Sequence, residues 1–131
     1  AAMPKRASAK PEIAKQTGGK IEVMVDVHKA VRGVDAIYTD AWVSMGHEHE
    51  TEERANIFPP YQVNEKLMAE AASHAVFMHC LPAHRNEEVT DAVIDSAQSV
   101  VFDQAENRMH IQKAILAMLC GKNRQPRSAN A

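Results

Sequence analysis

Three short apolar runs in this chain each break off into a polar loop rich in reactive side chains. Ala75-Val76-Phe77-Met78 runs into His79-Cys80-Leu81-Pro82, and Ala36-Ile37-Tyr38-Thr39 runs into Asp40-Ala41-Trp42-Val43-Ser44-Met45-Gly46. Val100-Val101-Phe102 runs into Asp103-Gln104-Ala105-Glu106-Asn107-Arg108. Short apolar runs bounded in this way read as buried strands. Alternating with helical stretches, they imply a parallel sheet covered on both faces. In open sheets of that kind, ligands bind beyond the carboxyl ends of the strands.

The pattern predicts four strands: Ile21 to Val25, Asp35 to Thr39, Val76 to His79 and Ser99 to Phe102. Between them lie short helices. Pro11 to Gln16 has a proline in its first turn and Gly18-Gly19 as its stop. Asp26 can cap Val27 to Arg32, with Gly33 closing it. Thr51 to Asn56 is helix-friendly and ends before Pro59-Pro60. Asn64 can cap Glu65 to Ala72, and Thr90 can cap Asp91 to Ser96. A final helix spans about 105–119, with Gly121 beyond its end. Its stripe Ile111, Ile115, Met118 and Leu119 is expected to face the core. Residues 122–131 read as a disordered tail.

The fold class is therefore α/β, a doubly wound, Rossmann-like parallel sheet with flanking helices. At 131 residues, 45% of them apolar, the chain has the length of one domain and material for a core. A net charge of −2 gives no reason to expect a nucleic acid or an anionic membrane surface as partner. No apolar run approaches the roughly 20 residues of a membrane span. The two cysteines, Cys80 and Cys120, form no CxxC pair or disulfide framework, which fits a reducing, cytoplasmic setting. Ala1 to Lys10 is basic and free of acids, but short and without an apolar face; it reads as a loop or a truncation edge.

Asp40 at a strand end can hold an ammonium group. Ser44 adds a hydroxyl, and Gly46 lets backbone N–H groups approach a carboxylate. Together they suit a zwitterionic amino acid; the same stretch also reads as a capped loop over a packed Trp42. Cys80 can be a nucleophile, a hydrogen-bond partner or a metal ligand, or simply a small buried hydrophobe. The histidines His79 and His84, and the run His47-Glu48-His49-Glu50, match no standard zinc spacing, so no metal is expected. Arg108 can grip a phosphate or polarise a carbonyl, or pair on the surface with Asp103 or Glu106. There is no GxSxG elbow, P-loop or GxGxxG.

Taken together, these segments resemble the ornithine carbamoyltransferases. The resemblance rests on Tyr38 to Gly46, Pro60-Tyr61-Gln62-Val63-Asn64, Phe77 to Arg85 and Val101 to Arg108, in matching order, and extends from about Pro11 to Gly121. It implies transfer of a carbamoyl group from carbamoyl phosphate to the δ-amine of L-ornithine, giving L-citrulline and phosphate. It also implies site roles. Asp40, Ser44, Met45, Cys80 and Leu81 would bind ornithine. Cys80, Leu81 and Arg108 would bind carbamoyl phosphate. Asp40, Cys80 and Arg108 would be catalytic. No cofactor is implied, and the family assembles as homotrimers. A eukaryotic member would sit in the mitochondrial matrix.

The chain also departs from the family pattern. Nothing in it resembles the Ser-x-Arg-Thr-Arg phosphate loop or the His-Pro-x-Gln segment. Residues 1–121 are thus expected to be a partial ornithine-binding domain without its first strands, a C-terminal piece of a longer enzyme. Ile21 to Val25 would then lie across a gap from the other strands. Two other readings are a related enzyme using putrescine and a non-catalytic amino-acid-binding module. Ser44-Met45-Gly46 argues against putrescine, which has no carboxylate to hold.

Overall fold

A computed structural model describes residues 11–43 and 56–121. Helix α1, Pro11–Thr17, stops where Gly18 turns left-handed at φ 75° and the Gly19 N–H donates to the Ala14 carbonyl at 2.7 Å. Helix α2 is one turn, Val27–Ala30, capped as expected by Asp26, whose carboxylate accepts from the Lys29 N–H at 3.2 Å. The chain then reverses through Gly33, at φ 70°. Strand β1 is Ala36–Thr39. A 3₁₀ turn, Pro59–Tyr61, leads to α3, Glu65–Met68, where Asn64 accepts from the Leu67 N–H at 3.0 Å.

Strand β2, Val76–His79, pairs with β1 in parallel, with Ile37 opposite Phe77 and Thr39 opposite His79. Helix α4 is Asp91–Ile94 and helix α5 is Val101–Cys120. Thr90 occupies the cap position of α4 without capping it; its hydroxyl donates to Glu65 at 2.8 Å and ties α4 to α3. No described helix is long and apolar enough to cross a membrane.

The core gathers on one side of this short sheet. Phe77 and Val89 are wholly buried, and Ile37, Val63, Leu67, Val93 and Val101 close around them. Inward positions alternate along β2 as a strand requires, with Phe77 and His79 both at 0% exposure.

Several sequence expectations need correcting. Among the described residues, the face of the sheet opposite this core is only partly covered, and Tyr38 is 55% exposed there. Ile21 to Val25 forms no strand, and Val23 is 74% exposed. Among the described residues the sheet is β1 and β2 alone, so this segment has no ladder to join. The Ser99 to Phe102 strand shrinks to a single bridge from Ser99 to Phe77, because α5 already begins at Val101. The stripe Ile111, Ile115, Met118 and Leu119 is not core. All four are exposed, since only the first turns of α5 pack on β2. Gly121 ends α5 in an extended conformation, at φ −64°, rather than a left-handed one. The Thr51 to Asn56 helix falls almost entirely outside the described residues, and the 122–131 tail wholly so.

Candidate active site

The ends of β1 and β2 lie side by side because the two strands are parallel and in register. Residue 40 follows one strand and residue 80 the other. The Cys80 thiol donates to Asp40 Oδ1 at 2.9 Å, and the same oxygen accepts the Ala41 N–H at 2.8 Å. Each partner shifts the other. The hydrogen bond to Asp40 pushes the Cys80 thiol above its ordinary value, with partial burial adding to it. The same hydrogen bond holds the Asp40 carboxyl below its ordinary value. Cys80 is therefore a protonated hydrogen-bond donor around neutrality.

A third group joins this pair. The Tyr38 phenol is raised above its ordinary value by partial desolvation and then by the neighbouring thiol. From the sequence Tyr38 belonged to a strand and to the segment Tyr38 to Gly46, with no role of its own in the site. Its signal was alternation: residues 38 and 40 share a face of an extended chain.

The pH dependence of the thiol–carboxylate bond follows from the two shifts. Asp40, with its folded value lowered, contributes stability above the ordinary carboxylate value and loses it as pH falls through the lowered value. Cys80, with its folded value raised, contributes below the ordinary thiol value and loses it as pH rises through the raised one. The bond is thus at full strength between roughly pH 4 and pH 8.5. Alkylation of Cys80 followed against pH will show a midpoint above that of an unfolded control. Asp40→Asn will bring the midpoint down. An unchanged midpoint would mean that the bond does not govern the thiol.

The loop after Cys80 folds back over a buried carboxylate. Glu88 and His79 are both 0% exposed, and His79 Nε2 lies 3.2 Å from Glu88 Oε1. The same oxygen accepts the His84 N–H at 2.6 Å. The other ring nitrogen, His79 Nδ1, accepts the Leu81 N–H at 2.8 Å. Leu81 has φ 53°, a left-handed conformation that costs a non-glycine residue about 1–2 kcal/mol. Arg85, inside the His79 to Arg85 motif, is structural. Its guanidinium grips Asp95 with both nitrogens at 2.6 and 2.8 Å and Asp91 at 2.7 Å, clamping the loop to α4.

The other expected residues lie elsewhere. Arg108 is in the second turn of α5, about 10 Å along the axis from its start by helical rise, rather than at the helix N-terminus. Its side chain is exposed and pairs with neither Asp103 nor Glu106, since Glu106 pairs with His110 at 3.1 Å. Glu106 and Asn107 are inside the helix. Ser44 and Met45 lie outside the described residues, as do His47 and His49. Trp42 stacks on Phe58 with ring centroids 6.0 Å apart.

Among the described residues, the ligand atoms of His84, Glu87 and Glu88 are the one set that converges closely enough for a cation, all within 4.8 Å of one another. Cys80 is not part of it. A cavity of about 160 Å³ opens between α3 and α4, beside Met68 and Val93, and neither Asp40 nor Cys80 lines it.

This arrangement can be set beside known proteins. Residues 1–119 match the family model described as aspartate/ornithine carbamoyltransferase, Asp/Orn binding domain. An ornithine carbamoyltransferase of Hyperthermus butylicus is 60% identical over 106 residues, covering 81% of this chain and 34% of that protein. The solved ornithine carbamoyltransferase of Pyrococcus furiosus superposes with a TM-score of 0.75 at 59% identity, over 81% of this chain and 34% of that one. The anabolic enzyme of Campylobacter jejuni gives 0.77 at 38% identity, over 90% and 41%. The chain thus spans about a third of the length of the curated relatives it matches. With the family model covering nearly all of it, the chain belongs to the Asp/Orn-binding-domain family of the aspartate/ornithine carbamoyltransferases.

Proposed function

We propose that this chain is the ornithine-binding part of an ornithine carbamoyltransferase. The reaction moves the carbamoyl group of carbamoyl phosphate onto the δ-amine of L-ornithine, releasing L-citrulline and phosphate, as a step of arginine biosynthesis. The observation that carries the reading is the Cys80 thiol bonded to the Asp40 carboxylate at 2.9 Å. The δ-amine must be neutral to attack. A carboxylate held ionised by a thiol can take an ornithine ammonium as its partner, and the pair can orient the amine as it loses its proton. The Leu81 N–H is already taken by His79 Nδ1, so the fixed donor for the developing carbamoyl oxygen comes from Arg108 or another backbone amide near Leu81. Arg108 contributes on the carbamoyl phosphate side, and Ser44 and Met45 hold the amino-acid end. Much of the rate comes from holding two small reactants in line.

On this reading the full-length enzyme is a cytoplasmic homotrimer, or a mitochondrial one in a eukaryote, and residues 1–121 are a partial domain of it. The test is a graft. This chain replaces the matching third of the Pyrococcus furiosus enzyme, and the product is assayed with carbamoyl phosphate and a panel of amines. Citrulline formation with ornithine as the preferred amine is expected. Preference for putrescine, or no transfer by a folded graft, would overturn the reading. Ornithine binding without transfer would instead support an amino-acid-binding module.

A further inference from the structure

We infer that Glu88 and His79 act together as positioning residues, fixing the backbone of Leu81 and through it the aim of Cys80 and Leu81. This rests on the carbamoyltransferase reading for its kinetic consequence, though not for its geometry. His79 is the last residue of β2 and has no exposed surface. Its Nδ1 accepts the Leu81 N–H at 2.8 Å. The hydrogen-bond network therefore assigns the ring proton to Nε2, facing Glu88 Oε1 at 3.2 Å. Glu88 Oε1 is itself held by the His84 N–H at 2.6 Å. A carboxylate thus sets the tautomer, the tautomer supplies the acceptor, and the acceptor retains the left-handed turn at Leu81, φ 53°. Leu81 directly follows Cys80, whose thiol meets Asp40.

The relay makes a distinction that bulk packing would not. Glu88 Oε2 has no hydrogen-bond partner. An amide at this position can keep its oxygen at the Oε1 place and put its NH₂ at the Oε2 place, which makes no hydrogen bond and lies 3.8 Å from His84 Nδ1. Glu88→Gln should therefore preserve the relay, while Glu88→Ala leaves the ring free to move its proton to Nδ1. The Leu81 N–H would then face another N–H, and the turn would open. A displacement of about 1 Å at a reacting group can cost on the order of 100-fold in rate.

The graft described above is the material, with wild-type residues, E88Q, E88A, H79N and H79A. Three readouts are taken: kcat and KM for ornithine, the histidine ring ¹⁵N shifts, and the rate of Cys80 alkylation. Expected are a ring proton on Nε2 in wild type and E88Q, a kcat loss of tenfold or more in E88A by the same argument, recovery of most of it in E88Q, and faster Cys80 alkylation in E88A and H79A. A ring proton on Nδ1 in the wild type would overturn the inference. So would E88A with kcat within about twofold of wild type and a lowered Tm, because that is packing alone. E88Q as slow as E88A would overturn it too. Should E88A fail to fold, H79N decides: it keeps an acceptor near Leu81 but cannot reach Glu88, so its alkylation rate should fall between wild type and H79A, and a rate equal to either sinks the relay. If the wild-type graft makes no citrulline, the functional reading fails, while ring shifts and alkylation still decide the relay.

Discussion

Phe77→Ala will destabilise the chain by about 3–5 kcal/mol, the usual cost of emptying a phenylalanine site in a core. Phe77 has no exposed surface. Its strand is pinned on both edges: Ile37 lies opposite in β1, and on the other side its N–H donates to the Gln98 carbonyl at 2.8 Å while its carbonyl accepts from the Val100 N–H at 3.0 Å. The backbone cannot move in to fill the cavity without breaking those bonds. Domains are commonly stable by only about 5–15 kcal/mol, so the variant will be marginal. Urea denaturation measures the loss as a shift in midpoint at unchanged slope. Phe102, 76% exposed on α5, is the control, and its alanine variant should stay within about 0.5 kcal/mol of wild type. A cost below about 1 kcal/mol at Phe77 would mean that the core is not centred there.

Asp40→Asn, placed in the grafted enzyme, will lower kcat/KM for ornithine by about 10²–10⁴-fold, the range for losing a positioned acid–base group. On the proposed function the change removes the charge that would meet the ammonium, and it weakens the acceptor that raises the Cys80 thiol. Stability should hardly change, because Asp40 is exposed and outside the core. The two readouts separate function from folding. A rate loss under tenfold would assign ammonium recognition to another group. A fall in Tm matching that of Phe77→Ala would make Asp40 a structural residue.

Local chemistry was readable at most places where a residue acts on its neighbours in the chain, Thr90 being the exception. Asp26 and Asn64 cap the turns that follow them, as their short acceptor side chains imply. The apolar runs before Asp40 and Cys80 are strands, and their ends do meet. What failed depended on partners remote in sequence. Ile21 to Val25 has a strand's composition but no neighbour, and composition cannot reveal a missing neighbour. The stripe on α5 has the period of a core face, yet nothing described covers it. Nothing in the run Glu87-Glu88-Val89 itself marks Glu88 as buried. The clue was in β2: if Phe77 faces inward, so does His79 two residues on, and a buried imidazole needs a partner.

The thiol–carboxylate pair also has a consequence for folding kinetics. Its two residues are 40 positions apart, the same interval that separates the register partners of β1 and β2. A parallel crossover offers no hairpin from which pairing can zip, so a loop of that length must close before the first ladder bond forms. Such non-local pairing is slow. The short capped turns can flicker into place early, but Asp40 and Cys80 meet only when the sheet itself closes. Refolding followed by Cys80 protection should therefore track the slowest phase, with the crevice appearing last.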